Sequence, residues 1–250
     1  MKSWIKALMA AGLMLGGGAR AGEAPDWRFE LTPYLWLAAL EGDAAIGGRH
    51  VDFNRSASDL LDNLEIGGSL LGVAQYKRAV FGGQLDLFNL RTDAMKVDGH
   101  SLEGELDSDL GIFQLVAGWQ FDGWMEGQAF TVAAGVRHLR WANELAGAGG
   151  GTERRTFNLT DPVVIVWPTL PLLKKKIDGL ALNPVFALGG GGDSELIFEM
   201  FPQIRYRVND RLQVRFGYRT IGVRVEKDSG RRNEVDIRLA GFLFGLGGTF

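Results

Sequence analysis

The sequence has no cysteine, so disulfides, zinc–thiolate sites and thiol nucleophiles are excluded together. Histidine occurs three times, which leaves imidazole chemistry few places to stand. A basic excess is missing as well. Lys and Arg number 27 against 30 Asp and Glu, so the electrostatic footprint of a nucleic-acid binder is absent. Long apolar runs are also lacking. The run Ala7–Leu15 is about half of the roughly 20 residues that a spanning helix needs, and no other stretch approaches that length. If the rest of the chain crosses a membrane, it must do so as a closed β-barrel.

Residues 1–21 read as a cleavable secretory signal. Lys2 and Lys6 precede the apolar run, and Ala19-Arg20-Ala21 forms a small-residue cleavage site. Cleavage there removes Lys2, Lys6 and Arg20 and no acidic residue, lowering the formal charge from −3 by three, to −6. Residues 22–250 are expected to form one domain, without internal repeat or linker.

What the mature part has is period-two alternation over segments of ten or more residues, longer than the strands of most soluble proteins. From Trp27, one face reads Trp27, Phe29, Leu31, Pro33, Leu35, Leu37, and the other Arg28, Glu30, Thr32, Tyr34, Trp36. The same pattern marks 64–77, 81–90, 109–121, 129–141, 196–208, 212–225 and 234–250; 156–167 and 180–189 carry it less regularly. The apolar face often ends in an aromatic, such as Trp27, Tyr76, Trp119, Phe121 or Tyr206, as suits a membrane–water boundary. The opposite face is rich in Arg, Glu, Gln and Gly, which a lumen tolerates if charges pair. The fold class expected is all-β, a transmembrane antiparallel up-and-down barrel of about ten strands, with twelve the alternative. Connections alternate in length. Residues 77–79, 122–124 and 209–211 are short, whereas 91–104, 142–155 and 226–233 are long, the rhythm of periplasmic turns and external loops. Residues 41–63, with the helix-like stretch 58–63, read as an external arm or a lumen plug.

The inner face gathers Glu30, Glu65, Asp86, Arg137, Glu199, Arg205, Arg207, Arg215 and Arg219. Such a cluster either sets ion selectivity in a narrow pore or fills a small barrel with interlocked ion pairs; the second is the expectation. No catalytic set is visible. His50 and His100 fall in predicted loops, and His138 lies on the lipid-type face without a Ser beside it, near Arg140 and in reach of lipopolysaccharide phosphates. The runs 147–151 and 189–192 are glycine-rich without a following helix, so they read as loops rather than phosphate cradles. The acidic pairs Asp193/Glu195 and Asp107/Asp109 lack metal-ligand spacing. Neither a metal nor a cofactor is expected.

The chain ends Gly241-Phe242-Leu243-Phe244-Gly245-Leu246-Gly247-Gly248-Thr249-Phe250. A terminal Phe250 with Leu246, Phe244 and Phe242 at even steps resembles the signal that outer-membrane barrels offer to the barrel-assembly machinery. Gly248 departs from it, since a large apolar residue is common there. Val235, Ile237 and Leu239 fall on the opposite parity, so a bulge near Gly241 is expected. More broadly, the stretches 31–37, 58–64, 134–137, 161–164, 189–193 and 216–219 resemble a family of Gram-negative outer-membrane β-barrel proteins of unassigned function. The resemblance implies an outer-membrane location and contact with outer-membrane lipid, lipopolysaccharide and the assembly machinery, and supplies no activity. The sequence departs from that family at 168–176, where Lys174-Lys175-Lys176 stands in a turn.

Overall fold

The computed structural model describes residues 26–46, 49–54, 66–97, 100–147, 152–173, 177–228 and 232–250. The expected signal, residues 58–65 with Glu65, and the lysines 174–176 lie outside them. Every regular element described is a strand: β1 (Trp27–Ile46), β2 (Arg49–Asn54), β3 (Ile66–Tyr76), β4 (Ala79–Val97), β5 (His100–Asp122), β6 (Ala129–Gly147), β7 (Thr152–Pro171), β8 (Leu180–Leu182), β9 (Val185–Gly189), β10 (Leu196–Phe201), β11 (Gln203–Arg207), β12 (Leu212–Asp228) and β13 (Arg232–Thr249).

Two proline interruptions reduce these thirteen strands to eleven, and the short β2 set aside leaves ten barrel strands. Asn183-Pro184 separates β8 from β9 and Pro202 separates β10 from β11, because proline brings no N–H to the ladder. Each pair still runs as one strand, since Asn183 N–H donates to Gln203 O at 2.8 Å and Tyr218 N–H to Pro202 O at 3.1 Å. Each barrel strand pairs antiparallel with its chain neighbours, and β1 pairs with β13, from Glu30↔Thr249 to Ala44↔Val235. The sheet is therefore a closed ring. β2 lies beyond β3, pairing with the far part of β1 and with β4 at Val51 and Asp52.

Both described chain ends stand at one end of the barrel, with the tight connection Lys77-Arg78; we call this the turn end and the opposite one the loop end. The outward positions form an apolar belt in which Trp27, Phe29, Phe81, Leu115, Trp119, Val136, Phe216 and Phe242 are all more than 40% exposed. From Trp27 to Leu37 this belt stands about 25 Å high, at ~3.3 Å per residue and a tilt of ~40°. Rings stack along its turn-end margin, Trp27 on Phe29 at 5.7 Å and Phe121 on Phe130 at 5.0 Å. Polar residues replace apolar ones at its loop-end margin, where Asn89 donates to Asp109 at 2.6 Å and Arg224 to Asp236 at 2.9 Å.

Three sequence expectations change. The register of β13 with both neighbours runs unbroken through Gly241, so no bulge exists there. Ile237 and Leu239 simply face inward, fully buried. Second, most of the long loops expected at 91–104, 142–155 and 226–233 is strand. β4 runs to Val97, β6 to Gly147 and β12 to Asp228. Beyond the hydrocarbon both faces of a strand can meet water, so these segments lose the apolar alternation that marked the rest. Third, the described parts of the expected arm or plug 41–63, residues 41–46 and 49–54, are neither, because their backbone belongs to the barrel wall.

The inner wall is fitted by pairing large residues with glycines. A Cβ at Gly67 would stand 2.0 Å from the Phe88 ring, and one at Gly245 2.5 Å from the Tyr34 ring, so each ring occupies the place its cross-strand glycine leaves open. Gly248 has a comparable account outside, since a Cβ there would lie 3.1 Å from the Phe250 ring.

Candidate functional site in the lumen

The inward residues sort into three layers along the axis. The middle layer is ionic. Arg219 donates Nε to Glu199 Oε1 at 2.7 Å and Nη1 to both Asp86 oxygens at 2.9 Å. The Arg137 guanidinium binds the second Glu199 oxygen and reaches Gln114 Oε1 at 2.8 and 2.5 Å. Toward the turn end, Arg215 pairs with Glu30, which also accepts from Thr32 Oγ1 at 3.2 Å. Gln203 Oε1 takes the Tyr34 hydroxyl at 3.3 Å and Arg215 at 3.5 Å. Three carboxylates thus meet three guanidiniums, and Arg137, Arg219, Asp86 and Glu199 are all at most 4% exposed. The plane of Trp36 supports Arg219 from 4.6 Å, a cation–π contact.

The loop-end layer is apolar. Moving one inward step toward the loop end, Asp86 is followed by Phe88, Gln114 by Ile112, Arg137 by Leu139, Asp161 by Leu159, Glu199 by Ile197 and Arg219 by Ile221. All six followers are buried, and they pack with Trp36, Trp141, Val223, Ile237 and Leu239 into one cluster. This layer was not foreseen from the sequence. Its signal was the parity of Ile237 and Leu239, which marks an inward apolar set rather than a bulge.

The turn-end layer is a chamber of about 290 Å³ lined by Arg28, Gln75, Gln84, Gln114, Gln120, Trp167, Asn183, Gln203, Arg205 and Arg215 among others. Of the charged residues expected in the lumen, the structure brings together Glu30, Asp86, Arg137, Glu199, Arg215 and Arg219, and sets Arg205 on the chamber wall. Arg207 has the same parity but stands past the end of the lumen, half exposed, 4.0 Å from Asp178.

Other candidates are simpler. His138 faces outward, its Nδ1 2.9 Å from Thr160 Oγ1. The run Gly189–Gly192 is a tight turn in which Gly190 and Gly191 hold φ of 133° and 81°, conformations that suit glycine. Asp161 ties this turn down, accepting from Gly192 N at 3.1 Å and Ser194 N at 2.8 Å. Asp193 accepts from Thr160 N at 2.9 Å. Among the described residues, no cluster of three His, Asp or Glu is placed to hold a metal. Phe242, Phe244, Leu246 and Phe250 all face outward and are exposed.

With this geometry the chain has the fold of the outer-membrane β-barrels. It is similar to the outer membrane protease OmpT from Escherichia coli, with a TM-score of 0.55 and 9% identity over 91% of this chain and 99% of that one. The transport unit of the autotransporter AIDA-I from Escherichia coli matches with a TM-score of 0.45 and 9% identity over 99% and 96%. The translocator domain of the autotransporter NalP from Neisseria meningitidis matches with 0.42 and 13% over 99% and 94%. No protein-family model matches the sequence, and no curated protein does.

Replacing Arg219 by Met leaves the buried Asp86 without a cation and takes one of two from Glu199. We expect it to cost roughly 3–5 kcal/mol in urea unfolding from lipid vesicles. The same change at Arg78, whose partner Asp122 is largely exposed, should cost less than about 1 kcal/mol.

Proposed function

We propose that this chain is an integral barrel of a Gram-negative outer membrane, sealed across its middle, with its turn end in the periplasm. The observation that carries this is the double closure of the lumen: the clamp on Arg219 lies directly beneath the buried apolar layer. An ion crossing the barrel would have to break buried ion pairs and then enter a dry layer, and each step is costly. The barrel therefore acts as a closed envelope component rather than as a standing pore, and its paired charges serve rigidity rather than selectivity. No catalytic role is assigned. In planar bilayers the purified protein is expected to pass no steady current across a range of salts. Replacing Trp36, Phe88 and Leu139 together by Ala should bring conductance. Steady current through the unaltered protein would overturn the reading.

Orientation and assembly belong to the same proposal. The outward apolar set Phe242, Phe244, Leu246 and Phe250 would serve the barrel-assembly machinery as its recognition signal. Deleting Phe250 should then lower the folded fraction of membrane-borne protein, scored by the mobility difference between boiled and unboiled samples. An unchanged folded fraction would remove that role.

A second reading rests on strand length. β5 has 23 residues, and its part before Gly111 continues roughly 25 Å past the apolar belt. A wall projecting so far from lipid presents a surface to a ligand or partner outside the cell. Excising 142–155 and 226–233 should leave a heat-modifiable barrel that no longer yields the cross-linked species captured by an impermeant reagent on whole cells. Identical cross-links in both chains would dispose of it.

A further inference from the structure

We propose that the turn-end chamber binds a small oxyanion, a carboxylate or a phosphate, between Arg205, Arg28 and Arg215. Every guanidinium of the ionic layer above is paired with a carboxylate, but the chamber holds guanidiniums that are not. Its lining carries Arg28, Arg205 and Arg215 against the single carboxylate Glu30, and Glu30 is already engaged by Arg215. Among the described residues, neither Arg28 nor Arg205 forms an ion pair.

The placement of Arg205 is the sharper observation. In the β11–β12 register it stands directly opposite Arg215, an arrangement that repels when two like charges share a face. The charges acting most strongly on Arg205 are Arg215, Glu30, Arg28 and Arg207, three cations to one anion. The Nε atoms of both Arg205 and Arg215 are buried and have no hydrogen-bond partner among the described residues. An unsatisfied buried donor carries the full cost of its desolvation. An oxyanion in the chamber would accept from these donors and separate the two like charges.

Size and surroundings fit the same class. About 290 Å³ lies at the lower end of small-molecule sites, roughly 300–1,000 Å³, so the ligand is small. The amide of Gln120 lines the same space; its oxygen accepts from Gln75, and its NH2 can donate to oxygen without adding charge. Arginine suits this task because its planar fork matches carboxylate and phosphate oxygens. The site does not depend on a sealed lumen: a barrel that conducts yet binds would overturn the closed reading and leave this one standing.

The test uses the full chain in detergent micelles at low ionic strength, with isothermal titration of sodium phosphate, sodium succinate and, as a screening control, sodium chloride. Saturable binding is expected for phosphate or succinate and not for chloride, and the tighter of the two identifies the ligand's chemistry. Arg205→Gln should weaken that binding about tenfold or more, whereas Arg140→Gln, on the exposed outer face, should leave it unchanged. Boiled and unboiled gel mobility establishes that each variant is folded. Should Arg205→Gln not fold, Gln120→Glu, which adds a carboxylate to the chamber while keeping every arginine, decides the matter by the same loss. Absence of saturable heat with both oxyanions, or unaltered affinity in the folded variant, overturns the proposal.

Discussion

Closure of the sheet is the constraint on which the rest of this molecule depends. Within hydrocarbon an unpaired N–H or C=O has no water to turn to and costs several kcal/mol, so a sheet with two free edges could not remain there. Pairing of Trp27–Ile46 with Arg232–Thr249 removes both edges at once. Once the ring is closed, every residue has only two directions to face, and the two solvents that meet those faces dictate composition. Outside, Leu115, Phe216 and Phe242 are exposed as they could not be in water. Inside, the space is narrow enough that each side chain must be fitted against those across from it.

That fitting explains the mixture of glycine and bulk on the inner wall. Phe88 over Gly67 and Tyr34 over Gly245 each fill volume that a second side chain would contest. The ion pairs fill the middle in a comparable way, since Arg219 reaches Asp86 on one wall and Glu199 on another and ties together strands far apart in sequence. Buried pairs of this sort recover their desolvation cost only when geometry and hydrogen bonding are complete. Here Gln114 accepts from Arg137 and Gln84 donates to Asp86 at 3.1 Å, while Arg137 Nη1 has no partner among the described residues. The network sets the mutual position of the strands, and the apolar layer beside it keeps water from weakening it.

The two ends of the barrel consequently differ in kind. At the loop end the lumen closes on apolar packing, while the wall continues as strand beyond the belt. At the turn end it opens into a chamber whose charges do not cancel. One tube thus has an apolar stopper, an ion-paired collar and a cationic cup in sequence along its axis, all produced by residues two apart on the same strands.

The sequence alone determined the faces. Period-two alternation from Trp27 to Leu37 and from Ala129 to Trp141 separates lipid from lumen because each face meets a different solvent, and composition records that difference locally. It also allowed a ten-strand count, since short turns such as Lys77-Arg78 are local events and the alternation of 196–208 carries on through Pro202. What it could not supply was anything set by meetings across the bore. That Arg219 meets Asp86 and Glu199, that Arg207 clears the rim to stand by Asp178, and that Ile237 and Leu239 join Ile221 and Leu139 in a buried layer all depend on register and tilt around a closed ring. Parity says that a side chain points inward. Only the closed sheet fixes how far along the axis it sits, and so which partner it finds.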